Sequence, residues 1–114
     1  MITLDQVLEA LDANILTGDN LASRPVAGGY ACDMLSWVMS HAQPTDVWMT
    51  ILNSINVIAV AVLTDCACVL LTEGVELPPD VAARAQDKGV IVLGTQASTY
   101  EASARLQAFL NRSL

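Results

Sequence analysis

The chain has 114 residues, 54% of them hydrophobic and only 15% charged, with 12 acidic residues against 5 basic ones and a formal net charge of −7. Such a field repels phosphate backbones and argues against nucleic acid as a partner. The most apolar stretch, Ile55 to Leu63, is far shorter than the ~20 residues a membrane-spanning helix needs, which argues against a membrane protein. A chain of this length is expected to form one domain over residues 1–114, burying about two-thirds of its unfolded surface. Its mean hydropathy of +0.48 is rich for so small a soluble domain. Part of the apolar surface is therefore expected to be covered by a second copy, as a homodimer. The amino-terminal residues lack a basic segment and carry Asp5 and Glu9, unlike a secretory leader, so a cytoplasmic location is expected.

In chain order, Thr3 followed by Gln6 forms a capping box that opens an amphipathic helix with Leu4, Val7, Leu8 and Leu11 on one face. Asn14 to Gly18 reads as a short strand ending in a turn, and Val26 to Ala31 as a second, with Gly28 and Gly29 permitting a close backbone approach. Met34 to Ser40 fits a mostly buried helix that Asp33 is placed to cap. After the loop at His41–Thr45 comes a strand over Val47 to Thr50. Ile55 to Leu63 is either helix or strand by periodicity, and helix is preferred because a parallel crossover needs a helix-sized connection with Asn53 or Ser54 as cap. A buried strand over Cys66 to Thr72 completes a βαβ unit.

Two prolines, Pro78 and Pro79, then open a helix over Asp80 to Lys88 that Gly89 terminates. Val90 to Leu93 is another buried strand, and Ser98 with Glu101 caps a last helix from about Ala97 to Asn111, with Tyr100, Ala104, Leu106, Phe109 and Leu110 apolar. The alternation predicts an α/β fold, a mostly parallel sheet with helices on both faces.

In such sheets ligands gather at the carboxyl ends of the strands. Those ends carry Asp33, Thr50, Asn53, Ser54, Asn56, Thr72, Gly74 and Thr95, a set of hydroxyls, amides and turn residues with helix amino termini behind Asn53 and Ser98. They suit a small anionic ligand or a nucleotide, and they equally suit helix capping and turn closure. Catalysis has less support. No phosphate-gripping glycine-rich loop with lysine is present, His41 is the single histidine, and the acids are scattered as solvated helix faces and turns usually are. No catalytic residue, cofactor or metal is expected. Cys66 and Cys68 read as small buried residues on one face of a strand, while an iron–sulfur role with Cys32 is the alternative. Trp37 and Trp48 are aromatic anchors for an interface or for the core.

Several segments together resemble the DRTGG domain: Asp46-Val-Trp-Met-Thr-Ile51, Asn56 to Leu63, Val69-Leu-Leu-Thr-Glu-Gly74, Glu76-Leu-Pro-Pro, Val90 to Leu93 and Tyr100 to Leu106. Gly29 to Met39 resembles the strand and helix ahead of that core. The resemblance is closest to stand-alone members related to the amino-terminal domain of HPr kinase, some beside iron-only hydrogenase genes. It implies a regulatory or dimerising module without catalysis, with two alternatives: an adenine-nucleotide-binding regulator, or an accessory protein of an iron–sulfur hydrogenase system. A contiguous Asp-Arg-Thr-Gly-Gly is missing; Leu52-Asn53-Ser54-Ile55-Asn56 brings neither the arginine nor the glycines. The kinase half of HPr kinase is absent as well.

Overall fold

The structure, a computed structural model, describes residues 1–112. The last two positions of the domain expected over 1–114 lie outside the described residues. Five strands form one sheet: β1 (Asn14–Thr17), β2 (Gly28–Ala31), β3 (Asp46–Thr50), β4 (Cys68–Leu71) and β5 (Val92–Gly94). Five helices accompany them: α1 (Leu4–Ala10), α2 (Leu35–His41), α3 (Ile55–Thr64), α4 (Pro79–Lys88) and α5 (Thr99–Arg112). The spatial order is β1-β5-β4-β3-β2. Strands β2 to β5 run parallel and β1 closes one edge antiparallel to β5.

Because each parallel strand is laid beside the one before it, the three crossover helices share one side of the sheet. Val38 from α2, Val57, Ile58, Val60 and Ala61 from α3, and Val81 and Ala85 from α4 pack there against Trp48, Val69, Leu71 and Val92. Helices α1 and α5 cover the other side with Leu4, Val7, Ala102 and Leu106, which pack on Val47, Met49, Leu70 and Leu93. β3 is buried along its whole length, as a strand covered on both faces must be. The ambiguous segment is a helix, terminated where Asp65 turns left-handed at φ 51°.

Several expectations change in the folded chain. Helix α2 is mostly exposed: of its residues only Val38 is buried, because α2 connects the edge strand β2 to β3 and packs chiefly beside α3. Asp33 does not cap it. Met34 occupies the cap position, and the Asp33 carboxylate instead accepts bonds from the loop after β3. Tyr100 and Ala104 point to solvent from α5, Tyr100 at 84% exposure. Cys66 and Cys68 do not share a face. Regular strand pairing begins only at Cys68, so Cys66 packs among α2, α3 and α4 while Cys68 joins the core beneath α1 and α5.

Candidate functional site

At the carboxyl edge of the sheet the expected site residues fall into two groups. In the first, Asp33 Oδ1 accepts from the Thr50 hydroxyl at 2.7 Å and from the Ile51 amide at 3.1 Å, while Thr50 Oγ1 accepts from the Leu52 amide at 3.1 Å. These bonds fix the turn between β3 and α3. Asn53 then donates to the Glu76 carbonyl at 2.9 Å, tying that turn to the loop after β4. Ser54 stands at the cap position of α3 without a capping bond, and Asn56 is exposed on the first turn of that helix.

The second group lies at the ends of β4 and β5. The hydroxyls of Thr72 and Thr99 meet at 2.6 Å, and Thr95 Oγ1 accepts from the Ala97 amide at 3.1 Å. Gly74 adopts φ +70°, a conformation that favours glycine; a Cβ there would meet Gln96 Oε1 at 2.6 Å, the end of an exposed side chain that can swing aside. The Glu73 carboxylate accepts from the Thr99 amide at 2.9 Å. The amino end of α5, expected to cradle an external anion, thus already holds one of the chain's own carboxylates.

Between this second group and β1 there is an open cleft of about 400 Å³, lined by Asn14, Leu16, Gly74, Glu76, Thr95 and Gln96 among others. A second cleft of about 500 Å³ shares Asn14, Thr95 and Gln96 with it and adds Asp12, Ala97 and Arg105. The position follows from the topology. The connection leaving β4 passes to α4 on one side of the sheet and the connection leaving β5 passes to α5 on the other, so the two loops diverge there. Of the expected residues, Gly74 and Thr95 line this cleft; Asp33, Thr50, Asn53, Ser54, Asn56 and Thr72 are absent from its lining. Asn14, Leu16 and Arg105 were not anticipated. Asn14 opens β1, and only the antiparallel placement of β1 beside β5 brings it next to Gly94.

The thiols are not assembled into a centre. Cys66 and Cys68 are buried on opposite sides of the sheet, and Cys32 is half-buried in the turn after β2. Burial pushes the Cys66 thiol up to about 11 and raises Cys68 as well. Among the described residues no three His, Cys, Asp or Glu side chains converge as a metal site would require.

These features define a small α/β domain with a parallel sheet, an antiparallel edge strand and a polar cleft at the strand ends. The DRTGG domain family matches residues 6–109, and the chain belongs to that family. A comparison with curated protein sequences found no match. Among solved structures the chain is similar to the CBS and DRTGG domains of the regulatory region of Clostridium perfringens pyrophosphatase, complexed with its activator diadenosine tetraphosphate. The TM-score is 0.74 at 15% sequence identity, over 91% of this chain and 45% of that one. The chain thus spans about half the length of that regulatory region, and the likeness is one of fold. No helix among the described residues is long and apolar enough to cross a membrane.

Proposed function

We propose that this DRTGG domain is a non-catalytic, cytoplasmic regulatory domain that takes a small molecule in the cleft between β1, β5 and the loop after β4. The observation that carries this reading is the pair of clefts joined through Asn14, Thr95 and Gln96. Two amides offer donors and acceptors to a planar ring, Leu16 and Leu77 offer apolar walls, and Arg105, 3.7 Å from Glu101 on its own helix, supplies a cation beside Asp12 in the second cleft. The fold is shared with part of a pyrophosphatase's regulatory region, and the activator bound in that protein makes adenine nucleotides the first ligands to test. A base near Asn14 and Gln96, which line both clefts, with its phosphate at Arg105 in the second is the arrangement to test.

The test is a thermal-shift titration with AMP, ADP, ATP and diadenosine tetraphosphate. A ligand present at 100 times its dissociation constant should stabilise the protein by about 2.7 kcal/mol. Gln96→Ala and Arg105→Ala should abolish that shift without lowering the melting temperature of the free protein by more than a degree or two. Absence of a shift with every nucleotide would end the nucleotide reading.

A second reading concerns assembly. Met34 at the cap of α2, Trp37 on α2, Ile51 in the turn after β3 and Ile55 opening α3 are 59%, 53%, 45% and 39% exposed. Apolar side chains so close together on adjoining elements favour a homodimer through this side of the molecule.

A further inference from the structure

Away from the cleft, and one turn along α3 from Ile55, a groove of about 370 Å³ runs between α3 and α4, lined by Ile58, Ala59, Val62, Leu63, Arg84 and Lys88. Buried Ile58 lies at its base, and Val62 and Leu63 form an apolar wall that is 48% and 72% exposed. Its rim is cationic, which is unusual in a chain with five basic residues and a net charge of −7. Two of those five stand here. Neither forms a salt bridge among the described residues, although Asp80 and Asp87 share their helix. Helix α3 contributes no charge to the groove, since Ile55–Thr64 contains no ionisable residue.

We propose that this groove docks an acidic amphipathic helix of a partner protein, its apolar side against Val62 and Leu63 and its carboxylates against Arg84 and Lys88. A groove between two packed helices accepts a third helix along its length, with anchors at i, i+3 or i+4 and i+7. Other occupants fit less well. A second copy meeting this groove by two-fold symmetry would bring two Arg84 and two Lys88 side chains together. The acidic helix of this chain, α1, has its apolar side already buried through Leu4 and Val7. An anionic lipid surface is flat and would meet the two cations without entering the groove between the helices.

The experiment displays a library of helix-forming 18-residue peptides and selects against the intact protein, Val62→Glu/Leu63→Glu and Arg84→Glu/Lys88→Glu. All four positions are surface residues in helices, and circular dichroism checks that each variant folds. Enrichment on the intact protein of peptides with apolar residues at helical spacing flanked by Asp or Glu supports the proposal. For a selected peptide, binding should weaken with salt and fall at least tenfold in both variants. A lysine-bearing counterpart of the same apolar pattern should instead bind the charge-reversed variant better. Enrichment of basic or unpatterned peptides, or affinity unchanged by Arg84→Glu/Lys88→Glu, overturns it, as does no enrichment at all. Flotation with phosphatidylserine-containing vesicles would overturn it in favour of a lipid surface. The outcome is independent of the nucleotide titration, because the groove shares no residue with the cleft.

Discussion

Four threonines are among the few buried polar residues: Thr17, Thr50, Thr72 and Thr95. Each uses its hydroxyl to close a local hydrogen-bond gap; Thr17, for instance, donates to the Val90 carbonyl at 2.9 Å and accepts from the Val92 amide at 3.0 Å. Replacing Thr50 by Val removes one of the two donors to Asp33 and leaves the Leu52 amide without the hydroxyl it bonds. Unfolding in urea should show a loss of about 1–3 kcal/mol, whereas Asn56→Ala on the exposed turn of α3 should stay within about 0.5 kcal/mol of the parent. The cysteines give a pH-dependent expectation. The unfolded Cys66 thiol ionises at its ordinary pKa and the folded one only at about 11, so between those values the unfolded chain binds fewer protons. Stability is then complete below the ordinary thiol pKa and falls as pH rises toward 11, with Cys66 contributing roughly 2–3 kcal/mol for two pKa units; urea melts of Cys66→Ala should lose that share of the decline and keep the share of Cys68, which burial also raises. At this scale the sequence showed which side chains sit at the strand ends, but not what they bond. Asp33 precedes a helix and reads as its cap; a carboxylate takes the nearest unpaired donors, and these belong to a loop that sequence spacing does not bring into view.

The elements themselves were far more legible. The capping box at Thr3, the Ser98 hydroxyl that accepts from the Glu101 amide, the prolines opening α4 and Gly89 closing it are local signals, and local chemistry set those boundaries. Burial was misjudged where a helix has a neighbour on one flank only, as α2 does, since apolar content alone does not say whether anything lies alongside. Turns sort in the same way. Gly18 adopts φ +96°, and a Cβ there would stand 3.0 Å from the Ile91 Cα, while Gly89 at φ +69° has open space around it. Gly89→Ala should therefore cost about 1–2 kcal/mol, the conformational term alone. Gly18→Ala adds a clash with backbone and should be clearly the more damaging of the two in thermal and urea melts.

For the whole molecule, strand order decides where a cleft can open, and strand order is not written in periodicity. The parallel run was readable from the alternation of elements; that β1 returns beside β5, carrying Asn14 to the cleft, was not. Assembly is tested at this scale. Sedimentation equilibrium of the parent should give twice 12.1 kDa, and Trp37→Glu or Ile55→Glu should give monomer with the native circular dichroism spectrum. A parent that sediments as a monomer would remove the homodimer reading and leave the cleft untouched.

The placement of β1 also bears on how the chain finds its shape. Every other neighbouring pair of strands is joined by one helical crossover, so β2 through β5 can zip together in step with synthesis. The joint between Asn14 and Gly94 instead links two ends of a long chain segment, and the entropy of closing so large a loop delays that contact until the rest of the sheet stands ready to receive it. Amides of β1 should consequently be the last in the sheet to gain protection in pulse-labelled refolding, and the rim of the cleft that Asn14 supplies forms only then.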